Sequence, residues 1–232
     1  MRIDLHNHTI VSFDGFNRLA DFERAHRAGK FDVVAITDHH SVEGALRLRE
    51  RASFPVIVGQ EIVTSEGEVI GLFTEQPVPR GLSAAETVAR IKDQGGLVYV
   101  PHPFLPLIAK TLARAALLRL LPSVDIVEVH NGRLTFMPAA NAAAVAFAAQ
   151  HGLLAGAGSD AHVPCELGAA AVEVPGLSEA PLTPSALLSA LARGRTLVNH
   201  RPSLLRGFLE RVFLFAYGKM LYAGKGALEK KM

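Results

Sequence analysis

The chain has 232 residues, 49% of them hydrophobic, 20% charged and 6% aromatic, with a formal net charge of +2. That length suits one large α/β domain with a sizeable buried core, and the apolar content excludes a disordered chain. The near-balanced charge argues against a broad polyanion-binding surface, and the lone Cys165 excludes an internal disulfide framework, so a reducing cytoplasm is the expected setting.

The N-terminus, Met1-Arg2-Ile3-Asp4-Leu5-His6, carries charges where a signal peptide needs an apolar stretch, and it reads as the start of a first strand, Arg2–His8. A helix is expected over Leu19–Ala28, closed by Gly29, then a strand over Asp32–His39. Ser41 with Gly44 opens a helix over Val42–Arg51, and strands follow at Pro55–Val63 and Val69–Phe73. Ser83 with Glu86 three residues on forms a capping box for a helix over Ala84–Gln94. Then come a strand at Leu97–His102, a helix at Pro106–Leu120 and a strand at Ile126–His130. A helix at Ala139–Gln150, closed by Gly152, leads to strands at Leu153–Ser159 and Ala170–Val174 and a helix at Pro184–Arg193. The Ala-rich stretch Pro138–Gly158 comes nearest to a membrane span. Gln150, His151 and its late glycines suit a buried helix running into a strand instead, so no transmembrane segment is expected.

Asp32-Val33-Val34-Ala35-Ile36 is apolar without alternation, which implies burial on both faces and parallel pairing. Repeated β-α units of this kind form a parallel barrel or a doubly wound sheet. Polar residues fall at the C-terminal end of strand after strand, as in a TIM-like barrel, and no glycine-rich phosphate loop marks a switch point.

Those polar residues carry the chemistry. Asp4-Leu5-His6-Asn7-His8-Thr9 ends the first strand with two imidazoles at i and i+2, on one face and able to share an ion. Thr37-Asp38-His39-His40-Ser41 ends the second, and Gly59-Gln60-Glu61-Ile62 lies in the third. Val100-Pro101-His102-Pro103, Glu128-Val129-His130-Asn131-Gly132-Arg133 and Gly158-Ser159-Asp160-Ala161-His162 follow. One strand-end histidine is ordinarily a hydrogen-bonded structural residue. Six such motifs at one rim would leave like charges and buried polar groups unpaired unless cations sit among them. Nitrogen and oxygen donors without thiolate suit Zn, Mn or Fe, and closely spaced ions would turn a bridging water into hydroxide near neutral pH. Asp38 and Asp4 are placed to orient the imidazoles, Asp4 equally to serve the strand. His26, His151 and His200 lie outside the motifs.

With these motifs the chain resembles the PHP (polymerase and histidinol phosphatase) family of metal-dependent phosphoesterases, from Asp4 to His162 and in the family order. The resemblance implies a distorted seven-stranded TIM-like α/β barrel, of the (β/α)7 kind, with two or three divalent ions. His6, His8, Glu61 and Asp160 would hold one ion; Glu61, bridging, with His102 and His130 a second; Asp14, His39 and His162 a third. In Ser12-Phe13-Asp14-Gly15 the residue Phe13 is extra to the family's turn, so a distorted or partly filled third site is expected.

Catalysis would then rest on Glu61 and Asp160, with Arg133 offering a fork to phosphate and His40 a proton to the leaving group. Each has a plainer reading, as a surface arginine and a structural histidine. About 27 residues separate His102 from His130 and about 29 separate His130 from Asp160, leaving little room for an inserted subdomain. The expected substrate is therefore a small phosphomonoester, a nucleotide or a histidinol-phosphate-like metabolite. A nuclease acting on nucleic-acid ends is disfavoured by the charge balance and few aromatics, and a metal-stabilised binding module without activity is the reading from another class. The barrel is expected over 1–200. The segment 201–232, with Leu, Phe and Tyr across Leu204–Tyr222, is expected to form an amphipathic helix on the barrel and a tail.

Overall fold

The computed structural model describes residues 1–105, 111–134, 137–175, 182–198 and the single positions Leu205, Leu209 and Val212. Its sheet explains why the strands are apolar throughout. In β2 (Val33–Ile36), Val33 and Ala35 join an inner cluster with Ile3, Ile57, Leu97 and Tyr99. Val34 and Ile36 join an outer one with Phe22 of α1 (Leu19–Arg27) and Ala45 and Leu48 of α2 (Glu43–Arg51). Each residue is claimed by one layer or the other, so no position is left for a polar side chain. A third cluster lies under α3 (Ala84–Asp93), α4 (Arg114–Leu120) and α5 (Pro138–His151), with Val88, Ile91, Leu117 and Phe147.

In sheet order, β1 (Arg2–Asp4), β2, β3 (Val56–Thr64), β4 (Gly67–Leu72), β5 (Leu97–Val100), β6 (Ile126–Asn131) and β7 (Leu154–Gly158) follow one another. Beyond β7, the rim closes on β1's continuation. Leu5 N donates to Ala157 O at 3.1 Å, Asp160 N to His6 O at 2.8 Å and His8 N to Ala161 O at 3.1 Å. The result is a distorted seven-stranded TIM-like barrel. On β1's other side β8 (Ala170–Glu173) pairs antiparallel, and β9 (Arg195–Val198) pairs antiparallel with β8. Helix α6 (Pro184–Leu191) sends Leu187, Ala190 and Leu191 into the inner cluster, among the first residues of the strands.

Four expectations need correcting. Strand β4 runs antiparallel to both neighbours, because only Ser65 and Glu66 separate it from β3 and a parallel crossover needs far more chain. Of the helix expected over Pro106–Leu120, residues 106–110 lie outside the described residues, and regular helix begins only at Arg114. Ala113 N is committed to Glu66 O at 2.7 Å, which fixes Thr111–Ala113 as irregular chain. Helix α5 is not buried all round but buries one stripe, Ala144, Phe147 and Ala148, while Val145 is exposed. Strand β9 was not expected, although Thr196-Leu197-Val198 after Gly194 carries its β-branched signature. The capping box holds: Ser83 Oγ accepts from Glu86 N at 3.2 Å, and Ser83 N donates to Glu86 Oε2 at 3.0 Å. Of the C-terminal helix, only Leu205, Leu209 and Val212 are described. All three are helical and exposed, and the rest lies outside the described residues. Among the described residues no helix is long and apolar enough to cross a membrane.

Candidate metal centre

The barrel's C-terminal rim gathers the polar motifs because the strands stop there and their last residues turn inward. Among the described residues, three of the four non-glycine positions with positive φ sit in those motifs: His40 at 62°, His102 at 31° and Asp160 at 51°. Such backbone costs on the order of 1–3 kcal/mol each and persists where side-chain placement requires it.

His6 and His8 meet at the centre, their Nε2 atoms 3.2 Å apart. Glu61 Oε2 is 3.3 Å from both of them, and Asp160 Oδ1 lies 3.7 Å from His6 Nε2 and 3.5 Å from His8 Nε2. Glu61 Oε1 reaches His102 Nε2 at 3.2 Å, while its Oε2 stands 3.6 Å from His39 Nδ1. Asp14 Oδ2 lies 3.2 Å from His162 Nε2 and 3.6 Å from His39 Nε2. Donor atoms of His6, His8 and Glu61, of His8, Asp14, His39 and His162, and of His39, Glu61 and Glu68 each fall within 4.8 Å of one another.

These groups fit divalent ions. Bonds of about 2.1 Å place neighbouring ligand atoms roughly 3–4 Å apart, the separations seen here. Buried His8 Nδ1, His39 Nδ1 and His102 Nδ1 have no hydrogen-bond partner among the described residues, so the rings are not placed for an ordinary polar network. The electrostatics agree. Burial opposes charge on His6, yet Asp160, Glu61 and Glu128 outweigh it and hold its pKa well above the ordinary value. His8 is likewise raised, to about 9, against its burial, by Asp160 and Glu61. Burial would raise Glu61 and Asp160, but His6 and His39 hold the first well below the usual range, and Arg133 and His6 do so for the second. The carboxylates thus call for positive charge at their centre. Protons supply it only by charging the imidazoles, whereas divalent ions supply it and leave the imidazoles neutral as ligands.

The structure brings together His6, His8, Asp14, His39, Glu61, His102, Asp160 and His162. Phe13 has not displaced Asp14. It stacks on the His39 ring at 5.1 Å, and Ser12 Oγ holds Asp14 Oδ1 at 2.8 Å. His130 has Nδ1 3.3 Å from Asn141 Nδ2, and its Nε2 is buried without a partner among the described residues. The place expected for it beside His102 is faced by Glu68, whose Oε2 is 3.7 Å from His102 Nε2. Arg133 is not a plain surface residue. Its Nη1 lies 3.5 Å from Asp160 Oδ1 and 3.3 Å from His162 Nδ1. His40 adjoins His39, ring centroids 5.8 Å apart.

Neither aspartate touches an imidazole directly. Asp4 accepts from Ser159 N at 2.9 Å and from Ser159 Oγ, tying β1 to β7, and burial pushes it up to about 6. Asp38 accepts from Thr9 N at 2.5 Å and Thr9 Oγ1 at 2.6 Å, so it anchors the loop that leaves His8. Two residues were given no role by the sequence. Glu128, although it opens one of the motifs, and Glu68 each put a carboxylate among the apolar residues of a strand, and both are buried. That placement is the signal that singles them out.

A barrel with this rim defines a class, the barrels that gather metal-ligating side chains at their strand ends. A family model described as PHP-associated matches residues 138–196. The uncharacterised protein MJ0417 of Methanocaldococcus jannaschii is 34% identical over 197 residues, 82% of this chain and 79% of its own. Among solved structures, PsfC from Pseudomonas syringae PB-5123 superposes with a TM-score of 0.69 at 20% identity, covering 92% of this chain and 98% of that one. A protein described as a metal-dependent phosphoesterase, from Bifidobacterium adolescentis, gives 0.59 at 19% identity, over 85% of this chain and 98% of that one. At those identities the two structures speak for the fold alone. The chain belongs to the PHP family.

Proposed function

We propose that the barrel, residues 1–200, hydrolyses a small phosphomonoester, a nucleotide or a histidinol-phosphate-like metabolite, with two or three divalent ions of Zn, Mn or Fe. The observation that carries this is the convergence of imidazole and carboxylate donors within 4.8 Å of one another. In this reading His6, His8, Glu61 and Asp160 hold one ion. Glu61, His102 and His130 would hold a second, with Glu68 facing His102, and Asp14, His39 and His162 a third. Bound ions would supply an activated water and neutralise phosphoryl charge.

The chain's own residues do the rest. Arg133, with its guanidinium 3.5 Å from Asp160 Oδ1, presents donors to a phosphate oxygen at the edge of the centre. His40, next to His39 on the rim, is positioned to protonate a leaving alkoxide. Between β5 and β7 the described residues form only the barrel's own elements, α4, β6 and α5, with a short turn after each of α4 and β6. Among the described residues no added subdomain is there to grip a long substrate, which favours a small one. We place the activity in the cytoplasm, where Cys165, the one cysteine of the sequence, stays reduced.

The test is a screen of the purified protein against phosphomonoesters, phosphodiesters and oligonucleotides with Mn, Zn or Fe added. Turnover of monoesters is expected. Hydrolysis confined to diesters or oligonucleotides would move the protein to the nuclease reading. Metal binding without turnover of any ester would favour the binding module.

A further inference from the structure

Glu128 is a fully buried carboxylate in the middle of β6 that none of the preceding roles uses, and four groups converge on it. Its Oε1 lies 2.9 Å from Tyr99 Oη and 3.1 Å from His6 Nδ1. Its Oε2 accepts from His102 N at 2.8 Å and Asn131 Nδ2 at 2.9 Å. The contact with His6 requires Gly158, since a Cβ there would stand 2.3 Å from His6 Cβ and 2.9 Å from Glu128 Oε1.

Each contact bears on a different ligand of the centre. The carboxylate selects the His6 tautomer with hydrogen on Nδ1, which turns the Nε2 lone pair toward His8 and Glu61. The bond from His102 N fastens the backbone where φ is 31°, and so aims the His102 ring at Glu61. Asn131 uses the same amide group to donate to Asp160 Oδ2 at 3.2 Å.

We propose that Glu128 is a positioning residue that serves two ion sites at once, setting the His6 ring for one ion and seating His102 for the other. The inference rests on the metal-centre reading given above. It goes further in making the two affinities depend on one carboxylate that touches neither ion.

The test is calorimetric titration of chelator-stripped protein with Mn²⁺ or Zn²⁺, comparing wild type with Glu128→Leu, which keeps the bulk and accepts none of the four bonds. The expected result is a fall of about ten- to a hundredfold in affinity at both binding steps, with the number of ions unchanged. Circular dichroism confirms that the variant folds. Unchanged affinities in a folded variant overturn the proposal, as does weakening confined to one step. A merely structural role would lower the unfolding temperature and leave the folded protein's affinities alone. If Glu128→Leu fails to fold, ¹⁵N-detected histidine spectra of the zinc-loaded wild type decide, because hydrogen on His6 Nε2 instead of Nδ1 overturns it. Wild type that takes up no divalent ion refutes the metal centre itself, a result distinct from failure of this inference.

Discussion

At the scale of single residues, the centre separates groups by what they serve. Glu61 faces His6, His8, His39 and His102 at once, and Asp160 faces His6, His8, His162 and Arg133. Glu61→Gln and Asp160→Asn keep the shape and remove the charge. Each is expected to lower turnover by at least a hundredfold, about 2.7 kcal/mol of transition-state stabilisation, while the far-UV spectrum stays native. Turnover within threefold of wild type in either variant refutes the assigned roles. Arg133 is read from its kinetics. A guanidinium that holds phosphate equally in substrate and transition state gives an Arg133→Ala enzyme with raised KM and unchanged kcat. One that meets charge only as it develops gives a fall in kcat, roughly tenfold for each 1.4 kcal/mol. Because Arg133 lies against Asp160 and His162, we expect a loss in kcat, and steady-state measurement of both constants checks it.

At the scale of elements, much was legible in the sequence and the omissions are instructive. Strand-end motifs announced the barrel because strands buried on both faces carry most of their polar residues where the chain reaches the rim, with Gln60, Glu61, Glu68 and Glu128 the buried exceptions. The turn of β4 was illegible as topology. Val69–Phe73 reads as one more apolar strand, and only the two-residue link from β3 dictates its direction. Glu68 and Glu128 were missed because lone carboxylates in apolar runs do not show which side of the pleat they take. Asp38 was assigned to the imidazoles since it precedes His39, whereas the fold spends both its oxygens on Thr9.

That anchor makes a prediction about α2. Gly44 sits in its first turn, where alanine ordinarily adds up to about 1 kcal/mol of helix stability. Here a Cβ would lie 2.0 Å from Asp38 Oδ2 and 2.4 Å from Thr9 Oγ1. Gly44→Ala is therefore expected to destabilise the protein and to weaken metal uptake through the His8 loop. Urea unfolding and metal titration measure the two effects, and a stabilised variant with normal uptake would be contrary to this account.

At the scale of the whole molecule, the donors exceed what one ion can use, and we expect elemental analysis to find two to three divalent ions per chain. One ion or fewer after metal-supplemented expression counts against the reading. Acidity should act oppositely on the two forms. In metal-free protein His8 stands at about 9, against about 6.5 when unfolded. Its pairing therefore stabilises fully below about pH 6.5 and is lost as pH rises through about 9. The depressed Glu61 and Asp160 contribute above the ordinary carboxylate range and lose that contribution as pH falls. Chelated protein is thus expected to melt higher at pH 6 than at pH 9. Added metal must displace those protons, so the gain in melting temperature it brings should grow over the same interval. A melting temperature of chelated protein that rises from pH 6 to pH 9 would contradict the charge pairing.

The seam between β1 and β7 has a consequence in time. Asp4 and Ser159, which it joins, stand 155 residues apart in the chain. Bringing such distant segments together costs about 4 kcal/mol of chain entropy, and nothing shorter places His6 and His8 beside Asp160 and His162. During synthesis, His6 and His8 leave the ribosome well before the partners made some 155 residues later. Ion capture is therefore a closing event, and its onset in a refolding experiment should mark the moment the ring is sewn shut.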